Sequence, residues 1–176
     1  MIVFCADHGE LLGDHYTYRK VLPYQGSVNV PMIVFNGGIS GKQDNLVELR
    51  DVMATFLDAA GAEIPESIDG ISILSDNGRE FLHGEHSGGF KSNHYIVTKT
   101  DKFCWFSQSG REQYFHLESD PHELHDRIGD PDCQERIGVL RKELIRVLTG
   151  REEGYTDGER LIAGQTPRSV LSFLEK

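Results

Sequence analysis

Ile2-Val3-Phe4-Cys5-Ala6-Asp7-His8-Gly9-Glu10, with Lys20 following, is the stretch on which the reading of this chain turns. Its first residues form a short apolar run rich in β-branched side chains, the composition of a buried strand. The run ends in a carboxylate, an imidazole and a glycine side by side. In an open α/β sheet ligands bind beyond the carboxyl ends of the strands, where Asp7 and His8 fall. A carboxylate oxygen with an imidazole nitrogen suits a divalent cation, and Gly9 lets backbone and ion approach closely. Lys20 adds a mobile positive charge for an anionic substrate. The pattern is that of a metal-dependent anion site seen from one side.

Working outward, residues 30–35 read as a second buried strand, closed by Asn36-Gly37-Gly38. Residues 45–60 carry Leu46, Leu49, Met53, Phe56 and Ala60 at the spacing of one helical face. Asp44 or Asn45 is placed to cap that helix and Gly61 to end it. Residues 64–74 form an irregular connection. Short strands are expected at 80–84, 94–99, 102–106 and 113–117, with Thr100-Asp101 and residues 107–110 as turns, which makes an antiparallel meander. Asp132 with Glu135 reads as a capping box for a helix with the apolar face Ile137, Leu140, Leu144 and Val147, ending at Gly150. The remainder is polar at first and weakly helical from Pro167.

Composition narrows the classes of function. The chain has 176 residues, enough for one ordinary domain or one with a small appendage. A net charge of −10 without a basic cluster argues against nucleic acid as a partner. Three unspaced cysteines give neither a disulfide framework nor a zinc pattern, and Cys5 and Cys104, within apolar strands, read as buried inert thiols. There is no signal peptide and no apolar run long enough to span a bilayer.

The block from Asp7-His8-Gly9-Glu10 through Asp14-His15, Tyr18-Arg19-Lys20 and Pro23-Tyr24-Gln25 to Val34-Phe35 resembles the second half of a type I sulfatase, of the alkaline phosphatase superfamily. A second block, Gln113 to Leu124 with Asp120-Pro121-His122-Glu123, is similar to a stretch near the end of those enzymes. The two occur in the family's order, and the resemblance covers roughly residues 1–150. It implies an α/β fold: the C-terminal portion of an alkaline phosphatase-like sheet plus a small antiparallel sheet with a packed helix. Residues 1–77 would be the end of the catalytic domain, 78–150 the antiparallel subdomain with its helix, and 151–176 a tail. The strands at 2–5 and 30–35 would belong to a parallel sheet, and their unpaired edges would favour an oligomer.

The same resemblance implies site residues. Asp7 and His8 would ligate metal, with Ca²⁺ favoured and Mg²⁺, Mn²⁺ or Zn²⁺ as alternatives. Lys20 would contact the sulfate and its bridging oxygen, and His15 would line the substrate pocket. Glu85, His86 and His94 form a polar patch around Gly88-Gly89, in the region that shapes the pocket mouth, although a glycine-rich loop explains them too. Asp120 and Glu123 read as structural, a turn before proline and its support. Sulfatases of this type carry a Cys-x-Pro-x-Arg or Ser-x-Pro-x-Arg element near the N-terminus whose first residue becomes formylglycine, the nucleophile. No such element occurs here. The expected function is therefore the C-terminal part of an enzyme hydrolysing organic sulfate esters, carbohydrate or aryl, inactive by itself, with a periplasmic or extracellular full-length parent. The alternatives are a phosphonate or phosphodiester hydrolase of the same superfamily and a non-catalytic truncated domain.

Overall fold

The larger sheet is built by alternation. In a computed structural model, which describes residues 1–38, 40–75 and 78–168, the elements run β1 (Ile2–Cys5), α1 (Gln25–Val28), β2 (Met32–Phe35), α2 (Asp51–Ala59), β3 (Leu82–His86), β4 (Asn93–Val97), β5 (Asp101–Phe106), β6 (Glu112–His116) and α3 (Gln134–Leu148). Strands β3 to β6 hydrogen-bond in sequence order as an antiparallel meander. Successive side chains point to opposite faces, so each strand serves two cores. Ile96, Phe103, Trp105 and Tyr114 face α3, meeting Ile137, Leu140, Leu144 and Leu148. Cys104, Phe106 and Phe115 face the other way, onto Leu11 and Tyr24. Fully burying one such side chain is worth about 1.5–3 kcal/mol.

The second half follows the sequence pattern closely. Helix α3 buries Ile137, Leu140 and Leu144 as expected, with Leu148 fully enclosed and Val147 only partly covered. Its start differs. Asp130, not Asp132, is the capping residue: its side chain accepts from the Asp132 amide, and Pro131 to Cys133 form a 3₁₀ turn ahead of the helix. The turn between β4 and β5 starts earlier than predicted, with Thr98 N–H donating to the Asp101 carbonyl. Polar ties fix the helix to the sheet. Tyr114 donates to Asp101 at 2.7 Å, Arg136 reaches the same carboxylate, and Arg141 pairs with Glu112. Beyond α3 the chain returns to the sheet and inserts Tyr155, fully buried, against Trp105. The helical tendency read from Pro167 onward falls largely on residues 169–176, outside the described residues.

The first half departs from the prediction. Strands β1 and β2 pair with each other and run antiparallel, Ile2 opposite Phe35 and Cys5 opposite Met32, not as members of a parallel sheet. A parallel pair needs a crossover that carries the chain back, usually a long helix. The connection here holds only the four-residue α1 and short turns, and it brings the chain back in the opposite sense. On one face of this ribbon Ile2, Phe4, Ile33 and Phe35 are all exposed, and Cys5 is only half-buried. Helix α2 starts at Asp51, not Asn45, and its apolar residues Met53 and Phe56 are exposed while Asp51, Ala54 and Thr55 are buried.

The reason is Asp51. Its fully buried carboxylate accepts from the Glu48 and Ile71 amides and from both terminal nitrogens of Arg79, at 2.6–2.9 Å. That draws residues 46–50 off the helical path and pins the connection at 70–71 against α2. Burial pushes the carboxyl pKa up, but the hydrogen bonds from Arg79 and the two amides outweigh it and hold the group below its ordinary value of 3.8.

Two outcomes follow from this architecture. A carboxyl depressed in the folded state contributes stability above pH 3.8, and that contribution fades as pH falls through the lower folded value. Asp51→Asn is therefore expected to cost about 3 kcal/mol in urea unfolding at pH 7, and progressively less below pH 3.8. Hydrogen exchange provides the second check. An isolated two-stranded ribbon is marginal, so amides of β1 and β2 should exchange on the order of 100-fold faster than those of β4 to β6 in a monomeric sample.

Candidate functional site

The loop after β1 is shaped by one glycine. The Gly9 amide donates to the Ser27 carbonyl at 2.7 Å, and a Cβ at position 9 would stand 2.1 Å from the Gly26 carbonyl oxygen. Only glycine lets the Asp7-His8 loop lie this close to α1. The buried Ser27 then donates its hydroxyl to the Lys20 carbonyl at 2.6 Å. One short helical turn thus fixes both the Asp7-His8 loop and the backbone of Lys20. Asp7, His8 and Lys20 line one cavity of about 1100 Å³, whose other walls include residues 44–50 and strands β3 and β4.

Within that cavity the Asp7 and His8 side chains lie against each other. The Asp7 Oδ1 accepts the His8 amide at 3.0 Å, which turns the carboxylate toward the ring, and Oδ2 lies 3.4 Å from His8 Nε2. His8 Nδ1 lies 2.8 Å from the Gly9 carbonyl, an outer contact that fixes the ring. One carboxylate oxygen and one imidazole nitrogen thus stand 3.4 Å apart, donor types that a divalent ion can use. His15 lies elsewhere. It takes a left-handed backbone at φ 52 and stacks on Tyr24 at 3.7 Å between ring centres, outside the residues lining the cavity.

Underneath the cavity is a group read from sequence as a mere support. Glu123, buried in a left-handed conformation at φ 57, meets the fully buried Lys102 at 2.6 Å. The Lys102 ammonium also donates to the Pro23 carbonyl and the Gln25 side chain, and Glu123 accepts the Gln25 amide. This network fastens the loop between Lys20 and α1 to the middle of the sheet. Lys102 carried no signal in the sequence: a lysine in a strand is ordinarily a solvated one. Asp120 is structural, as read, accepting the Leu124 and His125 amides.

The expected patch of Glu85, His86 and His94 is divided by the sheet. Glu85 and His86 are strand residues and point to opposite faces, and it is His83 that joins Glu85 and His94. Glu85 lies directly across from His94 in the β3–β4 register. The His94 Nδ1 is 3.3 Å from Glu85 and 3.4 Å from His83 Nε2. The hydrogen bond from His94, with Arg151 adding to it against burial, holds Glu85 at about 2. Burial first, and the neighbouring His94 second, push the His83 ring down to about 4. The signal for His83 was its alternation with Glu85, two residues apart on one strand. Close packing also explains Gly84: a Cβ there would meet the Tyr95 ring at 2.0 Å.

Residues 13–149 match the family described as N-sulphoglucosamine sulphohydrolase, C-terminal. Among curated proteins, the chain is 49% identical to an arylsulfatase of Clostridium perfringens over 99% of its own length and 38% of that protein's. It is 37% identical to Arylsulfatase K of Xenopus laevis over 84% of its length and 31% of the relative's. The chain therefore spans about a third of the length of the curated relatives it matches. Among solved structures it superimposes on a 2-O GAG sulfatase with a TM-score of 0.78 at 21% identity, covering 92% of this chain and 38% of that one. A phosphonate monoester hydrolase of Agrobacterium radiobacter superimposes with a TM-score of 0.71 at 20% identity, over 83% of this chain and 34% of that one.

The buried pair under the cavity gives a clear expectation. Removing one partner leaves an uncompensated buried charge, so Glu123→Gln or Lys102→Met should each destabilise by about 3–5 kcal/mol. The double variant Lys102→Met with Glu123→Leu should be markedly less unstable than the sum of the two. A double-mutant cycle in urea measures that difference.

Proposed function

The chain belongs to the family of sulfatase C-terminal domains, and from that premise we infer that it contributes one wall of an active site that hydrolyses organic sulfate esters. The observation that carries this reading is that Asp7, His8 and Lys20 line a single cavity, two of them with ligand atoms 3.4 Å apart. Asp7 and His8 would hold a divalent ion, Ca²⁺ on the family's pattern, with Mg²⁺, Mn²⁺ or Zn²⁺ as alternatives. Two ligands fall short of the six to eight oxygens Ca²⁺ takes, so the remainder comes from outside these residues. When bound, such an ion draws negative charge off the sulfate oxygens. The formylglycine of the family, in its N-terminal portion, supplies the nucleophile.

What this chain's own residues do follows from their placement. Lys20 brings an ammonium on a flexible stem whose backbone end is anchored by Ser27. As the S–O bond breaks, negative charge grows on the leaving oxygen, and a fixed positive group there lowers the barrier. The same ammonium can serve as a proton donor to the departing alcohol oxygen. His15, stacked on Tyr24, supports the loop between Gly13 and Lys20, and through it the position of the lysine. The exposed Ile2, Phe4, Ile33 and Phe35 favour contact with further protein, either the remainder of the enzyme or a second chain.

The test is a hybrid enzyme. The Clostridium perfringens arylsulfatase segment preceding the region of similarity is joined to this chain and produced with formylglycine installed. Hydrolysis of 4-nitrophenyl sulfate is expected, falling roughly 10²–10³-fold in Lys20→Ala, while the chain by itself turns over none. Activity of the isolated chain, abolished by Lys20→Ala, would overturn the reading. A folded hybrid that cleaves bis(4-nitrophenyl) phosphate and not the sulfate would establish the phosphoester alternative instead.

A further inference from the structure

We propose that His83, Glu85 and His94 form a second divalent-metal site, for zinc or a metal of similar preference, on the face of the sheet opposite Tyr95 and Lys102. It uses none of the residues assigned to the sulfate-ester reaction. The argument begins with the register. His83 and Glu85 are two apart on β3 and so share a face, and His94 stands directly opposite Glu85 on β4. One ligand atom from each lies within 4.8 Å of the others. Two of the separations are 3.3 and 3.4 Å. A tetrahedral ion with bonds of about 2.0–2.1 Å holds its ligand atoms about 3.3–3.4 Å apart. The two separations from His94 Nδ1 match that edge, and the third, between His83 and Glu85, lies within 4.8 Å.

Hydrogen bonding within the protein leaves the cluster incompletely explained. If His94 Nδ1 carries a proton for Glu85, His83 Nε2 can only share it sideways. If Nδ1 is bare, a lone pair faces a carboxylate. A cation reconciles three converging donors, and it leaves the proton of His94 on Nε2. That nitrogen is enclosed with no partner, as is the hydroxyl of Tyr155, whose ring centre lies 4.8 Å from that of His94. Trp105 stacks on His94 at 5.8 Å, so the ring is locked in orientation and the ligand atom is pre-aimed. Arg151 bridges Glu85 and Glu153, so an entering ion shares the Glu85 carboxylate with that guanidinium, whose second contact, to Glu153, holds it in place.

Ligand chemistry selects the ion. Two imidazoles and one carboxylate are the donor set of three-ligand zinc sites that keep a fourth position open, and they suit Ca²⁺ and Mg²⁺ poorly. His83 and Glu85 also belong to the cavity lining at the edge strand. The fourth position is therefore within reach of water or of an anionic group entering from solvent.

The test uses the full chain stripped of metal. Zn²⁺ titration by calorimetry is expected to give a saturable one-to-one isotherm. His83→Ala and Glu85→Gln should each weaken it by roughly 100-fold or more, because losing a ligand exceeds the 10–100-fold typical of outer-shell partners. Both variants sit on the edge strand, which keeps the core intact; His94→Ala removes a fully buried ring and is not needed. Glu159→Gln, an exposed carboxylate outside both groups of residues, should leave the isotherm unchanged. X-ray absorption on the zinc-loaded chain should report two nitrogen-type ligands and light-atom neighbours at about 2.0–2.1 Å. Absence of saturable binding by the folded chain, binding unaffected by both edge-strand variants, or binding lost in Glu159→Gln would each overturn the proposal. These readouts need no catalysis, so failure of the sulfatase reading leaves them intact.

Discussion

The buried ion pair of Lys102 and Glu123 is the constraint on which the arrangement of this chain depends. Two charges removed from water are costly unless every remaining donor and acceptor is met. Here the Pro23 carbonyl, the Gln25 side chain and the Gln25 amide meet them. Pro23 lies in the loop that joins Lys20 to α1, and Gln25 is the first residue of that helix. The pair can form only if that loop lies across the middle of the sheet, and the loop is satisfied there only if both charges are present. Hydrophobic contact between Leu11, Tyr24 and Phe115 supplies the attraction, while the ion pair supplies the register. A geometry that holds Asp7, His8 and Lys20 around one cavity is thus set from strand β5, far from them in sequence.

The meander divides its two faces between different tasks because a strand alternates. Toward α3 it presents Ile96, Phe103, Trp105 and Tyr114, an apolar layer that closes without help from the first half. Toward the cavity it presents Tyr95, Lys102, Cys104 and Gln113, where charged and polar groups are buried against the loop. Burial lifts the Cys104 thiol to about 12, so it packs as a small apolar group. The His83, Glu85 and His94 cluster falls on the α3 face, two of its members on the edge strand β3 and the third on β4. His94 is fully buried and packs against Trp105 and Tyr155, so the cluster reaches from the edge into the apolar layer.

How much of this was legible in the sequence depended on whether the signal was local. The four strands and α3 were readable because period-two and period-3.6 patterns are carried by neighbours, and Ile137, Leu140 and Leu144 behave as their spacing implies. The close approach at Gly9 was readable because a glycine adjoins two chemically distinctive residues, and the structure puts Asp7 and His8 on one cavity with Lys20. The sense of β1 against β2 was not, since apolar runs look alike in parallel and antiparallel pairs. Helix α2 was overextended because residues 45–50 fit a helical face. What overrides them is Asp51, whose partner Arg79 lies 28 positions on. Likewise the pairing of Lys102 with Glu123, and the placing of His94 opposite Glu85, depend on register that no single segment encodes.

The first half shows what a site looks like when its chemistry outruns its cover. Ile2, Phe4, Ile33 and Phe35 form one exposed apolar face, and Met53 and Phe56 add another on α2. Exposed patches of this kind mark surfaces that meet other protein. Asp7 lies on the same half with its carboxylate exposed, 3.4 Å from the His8 ring. Only Ala6 separates it from Cys5, the last residue of β1, so the strand that carries the exposed Phe4 leads directly into the Asp7-His8 loop. Anything packed on that face of β1 therefore acts on the loop through a single intervening residue.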